Sequence, residues 1–250
     1  YCPDWSTDER LEYTKRLVRI LCALLPDNVS GSISTVPGSY RQWVNSQQKY
    51  ERIVSNIIRM ALYCQRAEED TGERVFIALE PEPDCLWENT TEITRLFNED
   101  LPEIIRQTLR YSSGEVSEET LYDVVTTYMG ICYDTCHQSV LFEDPASDIQ
   151  KLQQNNIKIP KIQLSSAPKC TTDRQSLQEL QDFAENTYLH QTALKNGTDN
   201  ITRYPDLGPA LKNLIENPDA TKELRTHFHV PLHQTQYGSL KSTRDDLTDE

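Results

Sequence analysis

Glycine, basic side chains and long apolar runs are all scarce in this chain. Only 8 of its 250 residues are glycine. No strand candidate is followed by G-x-G-x-x-G or G-x-x-x-x-G-K-[ST], so the nucleotide-binding open-sheet folds lose the backbone cradle on which they depend. Lys and Arg number 25 against 39 Asp and Glu, a formal net charge of −14. Binders of duplex nucleic acid or anionic membranes need a positive field, so no nucleic-acid partner is expected. The apolar stretches are short, as in Val75-Phe76-Ile77-Ala78-Leu79, far below the roughly 20 residues of a membrane-spanning helix. The chain opens Tyr1-Cys2-Pro3-Asp4-Trp5 without an apolar leader, so no export signal is visible. Its seven cysteines include no C-x-x-C pair; they read as reduced thiols, and a cytoplasmic location is expected.

What is present is a chain with 37% hydrophobic residues, enough for one sizeable core or two small ones. Ser6-Thr7-Asp8-Glu9 forms a capping box, after which Leu11, Thr14, Val18, Leu21 and Leu25 repeat at helical spacing until Pro26. Residues 32–36 are short and β-branched, and a helical pattern follows through Ile53, Ile57, Met60, Ala61 and Cys64. The unit recurs with a strand over 75–79 and a helix beginning near Asn89. Further strands are predicted over 128–133, 157–164 and 224–230, with helical patterns over 121–127, 149–154 and 177–194. Such βα alternation implies a parallel sheet, open or closed. With the glycine motifs absent, a (β/α)8 TIM barrel is the expected fold.

Polar residues gather where these strands end: Glu80 and Glu82, Asp134 and His137, Gln163 and Ser165, His227 and His229. Carboxylates with imidazoles make an oxygen and nitrogen ligand set suited to Zn²⁺, Mn²⁺, Fe²⁺ or Mg²⁺. Asp134 stands three residues before His137, so that one can bind a metal while the other serves as ligand or proton carrier. On an extended strand His227 and His229 share a face. Lys161 is suited to neutralising an enolate or phosphate, and Gln163 to acting as a neutral ligand or a substrate hydrogen-bonder. Cys132 and Cys136 flank Asp134 and are read as core thiols, and the 222–225 segment with Asp245 and Asp246 as solvated surface.

The run Gly130-Ile131-Cys132-Tyr133-Asp134-Thr135-Cys136-His137 resembles a strand motif of the xylose-isomerase-like barrels, which include sugar isomerases, epimerases and endonuclease IV-type nucleases. Five blocks resemble, in order, the EboE metabolite-traffic family: residues 1–5, 31–37, 79–83, 161–167 and 227–231. The resemblance implies one domain over 1–250, an incomplete xylose-isomerase-like TIM barrel with about five βα units, lacking its first strands and its last. It implies a divalent metal on Glu80, Asp134, His137, Gln163 and His229. Glu80, His137 and Lys161 are then the catalytic candidates, and Glu82, Gln163, Ser165 and His227 the substrate-binding ones. Superfamily enzymes usually carry histidine where this chain has Gln163. The implied role is traffic of a secondary-metabolite or isoprenoid precursor, with a small-molecule metabolite and other proteins of the same pathway as partners. The alternatives are a metal-dependent sugar (phosphate) isomerase or epimerase and, disfavoured by the negative charge, a phosphodiesterase.

Overall fold

The structure, a computed structural model, describes residues 1–110, 116–185, 187–197 and 200–247. The chain divides into two compact units, one of residues 1–133 and 149–162, the other of residues 134–148 and 163–250. Among the described residues no helix is long and apolar enough to cross a membrane.

The first unit follows the expected alternation. Helix α1 (Asp8–Leu24) starts one residue later than the capping box suggests: Thr7 is the N-cap and accepts from the Arg10 amide. Strand β1 (Gly31–Thr35) follows, and then α2 (Gln47–Thr71), capped by the Ser46 hydroxyl and ended by Gly72 at a φ of 79°. That left-handed turn suits glycine alone among common residues at little cost. Strand β2 (Val75–Leu79) leads to α3 (Thr90–Arg95), capped by Asn89, and a π-helical turn joins it to α4 (Leu101–Arg110). Helix α5 (Glu118–Tyr128) then delivers β3 (Met129–Asp134), every residue of which is buried. After α6 (Thr135–Val140) and α7 (Pro145–Gln154) comes the short β4 (Lys161–Gln163).

These strands form one sheet in the order β1-β2-β3-β4. The β1–β2 and β2–β3 pairs are parallel, with Ile33 opposite Ile77 and Leu79 opposite Ile131. Ile53, Ile57 and Met60 of α2 and Leu11 and Val18 of α1 lie in one core with Ile77, Leu79 and Ile131. Such continuous apolar strands are what a sheet covered by helices requires. Burial pushes the Cys64 thiol up to about 12 and raises that of Cys85, so both are inert packing groups.

The second unit overturns the expected TIM barrel. Beyond β4 the chain leaves the βα rhythm and builds β5 (Pro168–Thr172), β6 (Thr192–Asn196), β7 (Asn200–Tyr204), β8 (Asp219–Thr226), β9 (Gln236–Tyr237) and β10 (Leu240–Ser242). They form a separate six-stranded sheet, ordered β7-β6-β8-β5-β10-β9. Every pairing in it is antiparallel. The strand expected over 224–230 is β8, which ends at Thr226 and pairs with β5 and β6 rather than with a parallel neighbour. The helix expected over 177–194 is only α8 (Arg174–Leu180) and a 3-10 turn, while Ala193 and Leu194 lie in β6. Asn186, within that stretch, lies outside the described residues. Helix α9 (Leu207–Glu216) was not among the expected helices, although Leu207, Ala210, Leu211 and Leu214 stand at helical spacing.

The physical reason lies in the strands themselves. β7 exposes four of its five residues and has no apolar face to bury under crossover helices. Asn196-Gly197, with Gly197 at a φ of 72°, is a hairpin signal between β6 and β7. Leu177 and Leu180 of α8 and Leu207, Leu211 and Leu214 of α9 share a core with Cys170, Leu194, Leu224 and Leu240 of the sheet.

Arg225, expected on the surface, is 8% exposed. It donates to the Ser139 carbonyl and to Asp246, each through Nη1 at 2.7 and 2.6 Å, and lies over the Phe142 ring at 4.1 Å. It thereby ties the end of α6 to β8 and to the C-terminal turn. Removing Asp246 would leave the buried guanidinium without that charged partner, which is costly.

Gly130 offers a direct test of the packing of β3. A Cβ there would lie 2.5 Å from the Lys158 carbonyl oxygen and 2.6 Å from Pro160. Gly130→Ala is expected to cost about 1–3 kcal/mol through overpacking, read as a lower thermal midpoint. An unchanged midpoint would contradict the register of this strand.

Candidate functional site

The residues that assemble into one group belong to the second unit, as do all five histidines of the chain. Asp134 is the hinge between elements. It is the last residue of β3 and the N-cap of α6, and is 1% exposed. Its Oδ1 accepts from the backbone N–H groups of Cys136 (2.8 Å) and His137 (3.2 Å), and its Oδ2 from Gln163 Nε2 (3.0 Å). A carboxylate has about four acceptor sites. Three are taken here by N–H donors, none of them a cationic side chain, and a lone pair on Oδ2 is left over.

Helix α6 turns His137, also buried, toward His227 and His229. The ring centroids of His137 lie 4.5 Å from those of His227 and 5.4 Å from those of His229. Cys136 and Val140 on the same helix pack with Ala167 and Ala193, small residues that admit a helix at close range.

His227 and His229 sit just beyond β8 rather than within a strand. Backbone bonds hold them in place. Ser166 and Val230 exchange N–H···O bonds of 3.2 and 2.8 Å, and the His227 amide donates to the Gln191 carbonyl at 2.8 Å. The Thr135 hydroxyl donates to the Ser165 carbonyl (2.5 Å) and accepts from the Ser165 amide (2.9 Å), which joins the 163–166 segment to α6.

The side chains behind the imidazoles define which nitrogen each presents. His227 Nδ1 lies 2.7 Å from Gln191 Oε1, an oxygen that only accepts, which puts the proton on Nδ1 and turns Nε2 toward His229. His229 Nδ1 lies 2.9 Å from Ser165 Oγ, and its Nε2 faces that of His227 at 3.3 Å. This backing of imidazoles by outer hydrogen bonds is what orients histidines toward a metal.

Among the described residues of this unit, two sets of donor atoms result, each lying within 4.8 Å of one another: Asp134 with His137 and His229, and Cys136 with His227 and His229. Burial, and then the neighbouring His137 and His229, hold His227 well below its ordinary value of 6.5, while Asp134 opposes them. Neutral His227 is thus a proton acceptor or ligand at neutral pH.

Of the residues singled out in the sequence, Asp134, His137, Gln163, Ser165, His227 and His229 come together in this unit. Gln163 orients the Asp134 carboxylate through its amide, and Ser165 backs His229. Glu80, Glu82 and Lys161 belong to the first unit. There Glu80 accepts from the Ser34 hydroxyl, Glu82 accepts from the Tyr1 hydroxyl at 2.5 Å, and Lys161 is half-buried on β4. Sequence reasoning missed Gln191, for which no motif exists, and set Cys136 aside as a packing thiol. Compared with known proteins, the chain matches no family model, no curated protein and no solved structure.

The depressed histidine gives a pH dependence of defined sign. Unfolded His227 binds a proton more readily than the folded residue does. Neutral His227 therefore stabilises the metal-free unit above 6.5, and that contribution is lost as the pH falls below it. The urea midpoint of metal-free protein should drop between about pH 8 and about pH 5, and drop less in His227→Gln. An identical drop in both proteins would contradict the assigned burial of a neutral ring.

Proposed function

We propose that the second unit binds a divalent metal ion on Asp134, His137 and His229 and uses it to hold a small hydroxylated metabolite. This is the role expected of an EboE-like handler of a secondary-metabolite or isoprenoid precursor. One observation carries the reading: a buried carboxylate and two imidazoles bring their donor atoms within metal-site dimensions, with Asp134 and His229 each fixed from behind by a hydrogen bond. The donor chemistry fits, since one carboxylate with two imidazoles suits Zn²⁺, Fe²⁺ or Mn²⁺ and leaves coordination positions for a ligand's oxygen atoms.

When bound, such an ion polarises carbonyl and hydroxyl oxygens. The protein's own groups supply the rest. Gln163 keeps the Asp134 carboxylate turned inward, Ser165 fixes the ring of His229, and Gln191 keeps the proton of His227 on Nδ1 and its Nε2 turned toward His229. That last feature supports a second reading, a sugar (phosphate) isomerase or epimerase in which His227 carries the proton between neighbouring carbons.

The test is metal stoichiometry by equilibrium dialysis with Mn²⁺ and elemental mass spectrometry. Asp134→Asn is the informative variant, because asparagine caps a helix as well as aspartate does and the fold is retained. Near one equivalent in the wild type, with affinity at least about tenfold weaker in the variant, is the expected result. Equal metal content in both would overturn the assignment.

A further inference from the structure

The second donor set, Cys136 with His227 and His229, differs in kind from the first. It exchanges a hard carboxylate for a soft thiol, and it shares His229. Cys136 is fully buried, and its Sγ lies 3.7 Å from the carbonyl oxygen of Phe228, the residue between the two histidines. The thiol is thus set against the backbone that carries both rings. The separation of the rings is also telling. Two nitrogens at 2.0–2.1 Å from one tetrahedral zinc lie about 3.3 Å apart, and His227 Nε2 and His229 Nε2 are 3.3 Å apart.

We propose, building on the metal reading above, that this pocket holds a zinc-selective alternative set, Cys136–His227–His229, whose occupation excludes an ion from Asp134–His137–His229. Selectivity follows from sulfur, since thiolate and imidazole ligands favour Zn²⁺ over Mn²⁺ or Mg²⁺. Exclusion follows from His229. Its Nδ1 is committed to Ser165, so a single nitrogen serves both sets and can bind one ion at a time. Zinc in the thiolate set also occupies Nε2 of His227, the nitrogen that faces His229. The thiol proton passes to solvent as the sulfur–metal bond forms. Zinc is therefore an inhibitor of whatever an ion in the carboxylate set supports.

The experiment uses the full metal-free chain. Co²⁺ is added as the spectroscopic stand-in for zinc, and a sulfur-to-cobalt charge-transfer band in the near ultraviolet is expected. Cys136→Ser should abolish that band, and His227→Gln should weaken it. In parallel, Mn²⁺ is loaded and followed by paramagnetic resonance. One equivalent of Zn²⁺ should release it from the wild type, and Cys136→Ser should need at least about tenfold more zinc. Cobalt bound with ligand-field bands and no charge-transfer band in the wild type would overturn the thiolate set while leaving the carboxylate set intact. Zinc and manganese held together, one of each, would overturn the exclusion. Failure of the wild type to bind any of the three ions would instead overturn the metal reading beneath it.

Discussion

Asp134 places a carboxylate where water cannot solvate it and then surrounds that carboxylate with N–H donors. Capping α6 through the amides of Cys136 and His137 fixes the first turn of that helix, an effect worth about 1 kcal/mol at a typical N-cap. The same bonds fix where the thiol and the imidazole that follow can point. The amide of Gln163 takes the other oxygen. Burying a carboxylate carries a desolvation cost. Hydrogen bonds offset part of it, and a divalent ion would offset the rest.

The antiparallel sheet of the second unit serves this carboxylate by presenting two more imidazoles to α6. Strand β8 stops at Thr226, and its continuation is captured twice, by Gln191 at His227 and by Ser166 at Val230. Between those anchors the two rings have little freedom, and their Nδ1 partners turn both Nε2 atoms inward. Arg225, one residue before the end of β8, bonds the Ser139 carbonyl on α6 and the Asp246 carboxylate. Helix, strand and C-terminal turn are thereby tied together close to the site in sequence, which leaves the donor atoms to be set by short, rigid connections.

The first unit was legible because its signals are strong and local. Strands β2 and β3 are uninterrupted apolar runs, and Ser46, Asn89 and Ser117 each mark a helix start with a side-chain cap. The last third of the chain was not legible in the same way. Strand β7 is exposed at four of its five residues and β8 is exposed or half-buried over its first five, so a reading tuned to buried parallel strands extends the βα rhythm where antiparallel pairing takes over. Asn196-Gly197 was the available warning. The barrel expectation fails for this reason, although the residues at the ends of β3 and β4 were correctly singled out. Asp134, His137, Gln163 and the His-x-His pair are brought together. Their roles were only half visible: Gln163 bonds a carboxylate, and Gln191 fixes a tautomer, a relation between residues far apart in the chain. Cys136 was passed over because a buried thiol is ordinarily a packing group, as Cys64 and Cys170 are here.

The central claim, that the converging donors form a metal centre, is tested most directly by anomalous scattering from crystals grown in Mn²⁺. The account predicts one anomalous peak about 2.0–2.2 Å from a carboxylate oxygen of Asp134 and from a ring nitrogen of His137 and of His229. A crystal in which His227 and His229 are joined by an N–H···N hydrogen bond, with no anomalous peak among these residues, would contradict it.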